Sequence, residues 1–329
     1  MPFRDLVGHA HLRELLASAA IRGTLPASLI FAGPEGVGKR QTATALAQLV
    51  NCLSPGENDA CGVCAACTRI ARGVHVDILT VEPGDTVTKI ISVDQVRDVV
   101  ERTGYRPFEG RRRVVIIDDA DAMIGQAQDA LLKRLEEPPP ASMFVLVTPR
   151  LDLLSPTIRS RCQQLRFGRL STDEIASELV KTHGFESAEA RVVAAAAGGS
   201  IGLALEGGTD EVVEAREAAA DALQAVAVSN DPRRRLDGAK LLAGGGDRDD
   251  LRRRLRALAS LLRDLGVLTA RADERHLANA DYRPRLAKLT GAFDADRITG
   301  AFGAIDRALE AIDRNGSPKI VADWLVFQL

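Results

Sequence analysis

The sequence predicts an α/β domain, a parallel sheet with helices on both faces, followed by an all-α region. Three observations carry this. Five short apolar runs alternate with amphipathic stretches through the first half, the alternation stops near Gly168, and from Ser171 onward the chain is alanine-rich and helical in pattern. The runs are residues 28–31, 77–81, 114–117, 144–147 and 164–167, each bounded by turn or charged residues, as strands buried on both faces are. Between them, Leu12, Leu15, Leu16 and Ala19 mark one helix face. Ser92 and Gln95 form a capping box ahead of Val96, Val99 and Val100. In the second half, Gly198-Gly199, Gly207-Gly208 and Gly244-Gly245-Gly246 punctuate the helices. The stripe Leu251, Leu255, Leu258, Leu262 and Leu265 and the final Ile320, Val321, Trp324, Leu325 and Phe327 read as an intramolecular helical core rather than a membrane or cofactor surface. The expected domains are therefore 1–168, 169–207 and 208–329.

A chain of 329 residues suits two or three domains. Lys and Arg number 43 against 45 Asp and Glu, for a net charge of -2, which excludes a globally basic nucleic-acid coat or a polybasic membrane anchor. Any anion must be met by a local site. With 46% hydrophobic and 27% charged residues, the composition is globular rather than disordered. No apolar segment follows the first residues and no run of about 18 apolar residues occurs, so a cytoplasmic protein without a membrane span is expected.

The first run leads into Gly33, Gly36, Val37, Gly38, Lys39 and Arg40, then a helical pattern with Ala43, Leu46, Leu49 and Val50 on one side. This is a P-loop in strand–loop–helix context: backbone N–H groups close around phosphate, Lys39 adds charge, and the helix dipole points inward. ATP or ADP is the expected ligand. Arg40, however, stands where a Ser or Thr hydroxyl would ligate Mg²⁺. Two unit cations about 4 Å apart repel by about 4 kcal/mol at an effective dielectric near 20, so magnesium is expected to bind poorly.

The third run ends in Asp118-Asp119-Ala120-Asp121, a Walker B pattern. Asp118 is placed to reach a metal through its water shell. Asp119 occupies the position of the usual Glu, and a carboxylate retracted by one methylene is misplaced by about an ångström, an error that costs roughly a hundredfold in rate. The preceding Arg111-Arg112-Arg113 reads as a solvated loop rather than a nucleic-acid contact.

Cys52, Cys61, Cys64 and Cys67 follow C-x8-C-x2-C-x2-C spacing. Clustered thiolates in a reducing compartment suit a structural, four-coordinate zinc. Iron–sulfur ligation and unligated thiols are the alternatives, although a ferredoxin-type run would want a cysteine where Ala71 stands. Cys162 reads as a buried thiol and His75 as a packed histidine.

Taken in order, the P-loop, the four-cysteine insertion, Asp118-Asp119-Ala120-Asp121, Leu131-Leu132-Lys133-Arg134-Leu135-Glu136-Glu137-Pro138-Pro139 and Thr157-Ile158-Arg159-Ser160-Arg161-Cys162 resemble a bacterial clamp-loader AAA+ subunit. The resemblance implies a RecA-like domain, a small helical lid and a helical collar that oligomerises. It implies that Arg161 is an arginine finger completing a neighbouring subunit's ATP site, that Val7 and Gly8 lie near the adenine, and that Thr148 is at the sensor-1 position. Within the family, Arg40 departs from the motor type, gamma/tau, and Gly202 replaces the sensor-2 arginine of Gly199-Ser200-Ile201-Gly202. With Arg161 intact, the chain looks like the stator type, delta-prime, of the DNA polymerase III clamp loader. The partners implied are gamma/tau and delta, with primed DNA and the sliding clamp reached through the complex. The alternative is a catalytically active gamma/tau-like ATPase. A zinc-dependent nucleic-acid-binding module fits worse, because no aromatics interleave the cysteines.

Overall fold

The first-half strands alternate their side chains between two cores, and that alternation fixes the architecture. The computed structural model describes residues 1–84, 89–206, 209–228, 231–274 and 277–329. Strands β1 (Ser28–Ala32), β2 (Ile78–Val81), β3 (Arg113–Ile117), β4 (Ser142–Thr148) and β5 (Gln163–Arg166) form one parallel sheet in the order β2-β3-β4-β1-β5. All five lie on the runs seen in the sequence, with ends shifted by one or two residues. Leu29, Phe31, Val114, Ile116, Met143 and Val145 face one core, while Ile30, Val115, Ile117, Phe144 and Leu146 face the other. Helices α1 (Ala10–Ile21), α2 (Lys39–Asn51) and α3 (Ala65–Ala71) supply the first core. Helices α4 (Val93–Arg102), α5 (Gly125–Glu136) and α6 (Pro156–Arg161) supply the second. The capping box at Ser92 and Gln95 is formed as expected.

Two helix faces differ from the sequence expectation. On α1 the buried residues are Leu16 and Ala17, and Leu15 is exposed. Helix α2 buries residues on most of its circumference, including Thr42, Ala45, Ala47, Gln48 and Asn51, because it packs against the sheet, α1 and α3 together. A third correction concerns the arginine run. Arg113 is no loop residue but the buried first residue of β3, paired with Asp77 at 2.9 Å.

The chain divides into two compact units, Met1–Leu170 and Ser171–Leu329. Among the described residues the second unit is wholly helical: α7 (Thr172–His183), α8 (Ser187–Ala196), α9 (Ile201–Glu206), α10 (Thr209–Val228), α11 (Pro232–Ala243), α12 (Arg248–Thr269), α13 (Arg283–Leu286), α14 (Ala295–Asp313) and α15 (Pro318–Val326). The expected boundary at Gly207 lies outside the described residues. Leu251, Leu255, Leu258, Leu262 and Leu265 of α12 are all fully buried. At the C-terminus only part of the expected core is core: Val321 and Leu325 are buried, whereas Ile320, Trp324 and Phe327 are exposed. Helical periodicity carries Ile320 and Trp324 away from the buried side of α15, and Phe327 caps the helix. No described helix is long and apolar enough to cross a membrane.

Asp77, wholly buried just before β2, organises the loop that returns to β3. Its carboxylate accepts N–H bonds from Phe108 (2.7 Å), Glu109 (2.9 Å) and Gly110 (2.8 Å) and pairs with Arg113. Burial alone would raise this carboxyl, but the three N–H donors and the guanidinium outweigh it and hold it at about 2. Its stabilising contribution is therefore fully present above the unfolded value near 4 and disappears as pH falls through about 2. Asp77→Asn should lower the unfolding free energy by about 2 kcal/mol at neutral pH. Denaturant melts of both proteins should converge as the pH is lowered toward 2.

Candidate active site

In a parallel sheet every strand delivers its following loop to the same edge. The ends of β1, β3 and β4 are adjacent, so the P-loop, Asp118 and Thr148 converge there. Gly33 sits so close to the neighbouring strand that an added Cβ would meet the Phe167 carbonyl oxygen at 2.2 Å, and only glycine fits. Gly38, at φ 96°, starts α2. The loop closes on itself: the buried Lys39 Nζ donates to the carbonyls of Gly33 (2.7 Å) and Pro34 (2.6 Å). Burial pushes the Lys39 ammonium below its ordinary range, opposed by Glu35, Asp118, Asp119 and Asp121.

Arg40 meets two carboxylates. Its guanidinium pairs with Asp118 Oδ2 at 3.2 Å and with Glu82, so a protein cation bridges the carboxylate that the Walker B pattern assigns to the metal's water shell. Burial holds the Asp118 carboxyl above its ordinary range, and Arg40 opposes this only in part. Asp119 lies just past β3 at φ 47°. Desolvation, reinforced by Asp118, Asp121 and Glu35, pushes its carboxyl up to about 6. Thr148 Oγ1, at the end of β4, donates to Asp121 Oδ1 at 2.8 Å, and Arg150 pairs with the same carboxylate. Val7 and Gly8 lead into His9, whose Nε2 lies 3.0 Å from the Val37 carbonyl and therefore tethers this segment to the P-loop. The structure thus gathers Val7, Gly8, Gly33, Gly36, Val37, Gly38, Lys39, Arg40, Asp118, Asp119 and Thr148 on one edge of the first unit.

It separates Arg161 from them. Gln163 is level with Leu29, so Arg161 precedes β5 at the opposite edge of the sheet, roughly 20 Å along the strands from the P-loop. There its Nε donates to Glu136 Oε1 at 2.8 Å and its Nη1 to the Thr157 carbonyl at 3.0 Å. Arg161 cannot serve its own phosphate loop.

The four cysteines also converge. Their Sγ atoms lie within 4.8 Å of one another, compatible with thiolates at about 2.3 Å from one tetrahedral zinc. The amides of Cys61, Cys64 and Cys67 donate to the sulfurs of Cys52, Cys61 and Cys64 respectively. Burial pushes the Cys64 thiol up, but the Cys67 and Leu53 amides and the neighbouring thiols outweigh it and bring it to about 6. The amides of Cys64 and Val63 lower Cys61, whereas burial raises Cys52 and Cys67. This donor set fits a metal ion, and no oxygen ligand is needed. Cys162 is buried away from the group.

Residues 8–171 match the family model described as "DNA polymerase III, delta subunit". The chain belongs to the bacterial clamp-loader AAA+ family. This clamp-loader subunit is 42% identical over 132 residues to Pseudomonas aeruginosa DNA polymerase III subunit delta', covering 40% of each chain. It is 31% identical over 208 residues to Bacillus subtilis DNA polymerase III subunit tau, covering 62% of this chain and 36% of that one. The match thus spans less than half the length of these curated relatives. A DNA polymerase III gamma subunit-related structure from Thermotoga maritima is similar over 95% of this chain and 97% of its own, at 16% identity and a TM-score of 0.44.

The sequence motifs contained Asp121 and Glu136 but did not show which side chains they hold, and Glu82 lay outside them. Glu82, Asp121 and Glu136 hold Arg40, Thr148 and Arg161 respectively. Glu82 stands 42 residues from Arg40 in sequence, and no local spacing could have paired them. Metal analysis of the purified protein should find one tightly bound zinc per chain. Cys64→Ser should lose it and lower the melting temperature of the first unit; iron, or intact stability without metal, would contradict this assignment.

Proposed function

We propose that this chain is a delta-prime-like stator of the DNA polymerase III clamp loader, which donates Arg161 to a neighbouring gamma/tau ATP site. The observation that carries the reading is the contrast between the two edges of the sheet. At the P-loop edge, Arg40 bridges Asp118 and Glu82 in place of a hydroxyl ligand, and Asp119 stands in for the longer Glu. At the opposite edge Arg161 is intact and a third exposed. Gly202, the second residue of α9, stands where the resemblance expects the arginine that would read a γ-phosphate. The delta' relative from Pseudomonas aeruginosa supports the same assignment.

In this role residues 169–207 form the lid and 208–329 the collar that holds gamma/tau and delta. The four cysteines hold a structural zinc. ATP or ADP occupies the P-loop without being turned over, Val7 and Gly8 flank its base, and Thr148 faces its phosphates. Primed DNA and the sliding clamp are reached through the assembled loader in the cytoplasm. Arg161 first has to leave Glu136, an exposed pair worth no more than about 1 kcal/mol, so a neighbour's phosphate readily displaces the carboxylate.

The second reading, a gamma/tau-like ATPase, is favoured only by the intact Lys39 and by relatives such as the Bacillus subtilis tau subunit. A finger stabilises charge on the transferring phosphoryl group and is worth roughly 10³- to 10⁵-fold at its own site. Arg161→Ala should leave folding, metal content and assembly intact while lowering DNA-stimulated ATP hydrolysis by the reconstituted loader and slowing clamp loading. Because other sites keep their own fingers, the hydrolysis loss should be partial. Equal rates in mutant and unmodified complexes of confirmed assembly would remove Arg161 from the mechanism.

A further inference from the structure

We infer that the four-cysteine loop is a positioning device for the nucleotide site: through Asp59 and Arg4 it anchors the segment that carries Val7 and Gly8 to the P-loop. This rests on the readings of the cysteines as a zinc site and of the P-loop as a nucleotide site.

The loop between Cys52 and Cys64 contains no helix or strand, so its conformation depends on the cysteine group at its base. Asp59, near its middle, reaches across to the N-terminal segment. Its Oδ1 accepts the Phe3 amide at 2.9 Å and its Oδ2 accepts the Arg4 amide at 3.0 Å. Arg4 answers in the other direction, donating from Nη1 to the Ala60 carbonyl (2.9 Å) and from Nη2 to the Cys61 carbonyl (3.0 Å). Gly62 packs against Pro2 so closely that an added Cβ would lie 2.9 Å from its ring. Four hydrogen bonds, each between residues more than fifty apart in sequence, thus lock the segment to the metal-binding loop.

From there the connection continues without a gap. Arg13 of α1 donates to the carbonyls of Phe3 (2.8 Å) and Leu6 (2.9 Å), which fixes the segment on the side facing α1. Val7 and Gly8 follow directly, and the His9 ring then binds the Val37 carbonyl inside the P-loop. The His9 ring also packs edge-on against Phe167, the residue that abuts Gly33. Metal held at one end of this series therefore sets the order of the backbone at the other. Charge-assisted bonds to backbone amides are the strong members of the series, and Asp59 supplies two of them.

The test uses the full chain. Asp59→Ala removes the two amide anchors without touching a thiol, and Arg4→Ala removes the reciprocal pair. Both should retain one zinc per chain. In both, hydrogen exchange at residues 3–9 should accelerate by about tenfold, and a fluorescent ADP analogue should bind several-fold more weakly. Chelating the zinc from the unmodified chain should accelerate the same amides. Unchanged exchange at residues 7–9 in both zinc-loaded variants would overturn the inference. An unmodified chain that binds no ADP analogue would fail the nucleotide reading alone, since the exchange of residues 7–9 still decides the anchoring. An unmodified chain without zinc would fail the metal reading, and accelerated exchange in Arg4→Ala would then uphold the anchor as a metal-free one.

Discussion

At the common edge of β1 and β3, the guanidinium of Arg40 lies between the carboxylates of Asp118 and Glu82. The sheet order brings these groups together, because β1 and β3 both flank β4 and both end on the same side. A side chain at the start of α2 therefore points toward the carboxylate after β3, and the guanidinium of Arg40 is long enough to reach it. With a hydroxyl there, a divalent cation could sit between them. With Arg40, the cation is part of the protein, and the charge of Asp118 is already met. Lys39 is likewise occupied, by the carbonyls of its own loop. The phosphate loop is thus complete in shape and self-satisfied in charge.

The same parallel register governs the other edge. Residues that precede strands, Glu136 before β4 and Arg161 before β5, gather opposite the P-loop, and the length of the strands keeps the two groups apart. An arginine in that position is out of reach of its own phosphate loop. The proposed stator role places a partner's phosphate at this edge. The proposed stator role follows from which of the two edges has kept its chemistry.

Much of this was legible in the sequence, for identifiable reasons. The central strands β1, β3 and β4 are buried throughout and read as continuous apolar runs, while the edge strands β2 and β5, contrary to expectation, are only partly buried, yet all five were visible, with errors only at their ends. The glycines, Lys39 and the carboxylates after β3 are local patterns, and so is the cysteine spacing. What stayed hidden was set by distant segments. Glu82, Glu136 and Asp59 look like ordinary surface acids until the fold brings Arg40, Arg161 and the amides of Phe3 and Arg4 to them. Leu15, Ile320 and Phe327 looked like core because hydrophobicity alone does not say which side of a helix finds a neighbour. Arg113 looked solvated because the buried Asp77 that receives it is 36 residues away.

The central claim is that the internal cation at Arg40 has removed metal-dependent chemistry from this chain's own phosphate loop. Steady-state ATP turnover by the purified chain in excess magnesium, beside a Lys39→Ala control, tests it most directly. The account predicts that the two proteins are indistinguishable, at background. Turnover by the unmodified chain that Lys39→Ala abolishes would contradict it, and would make this subunit a motor rather than a stator.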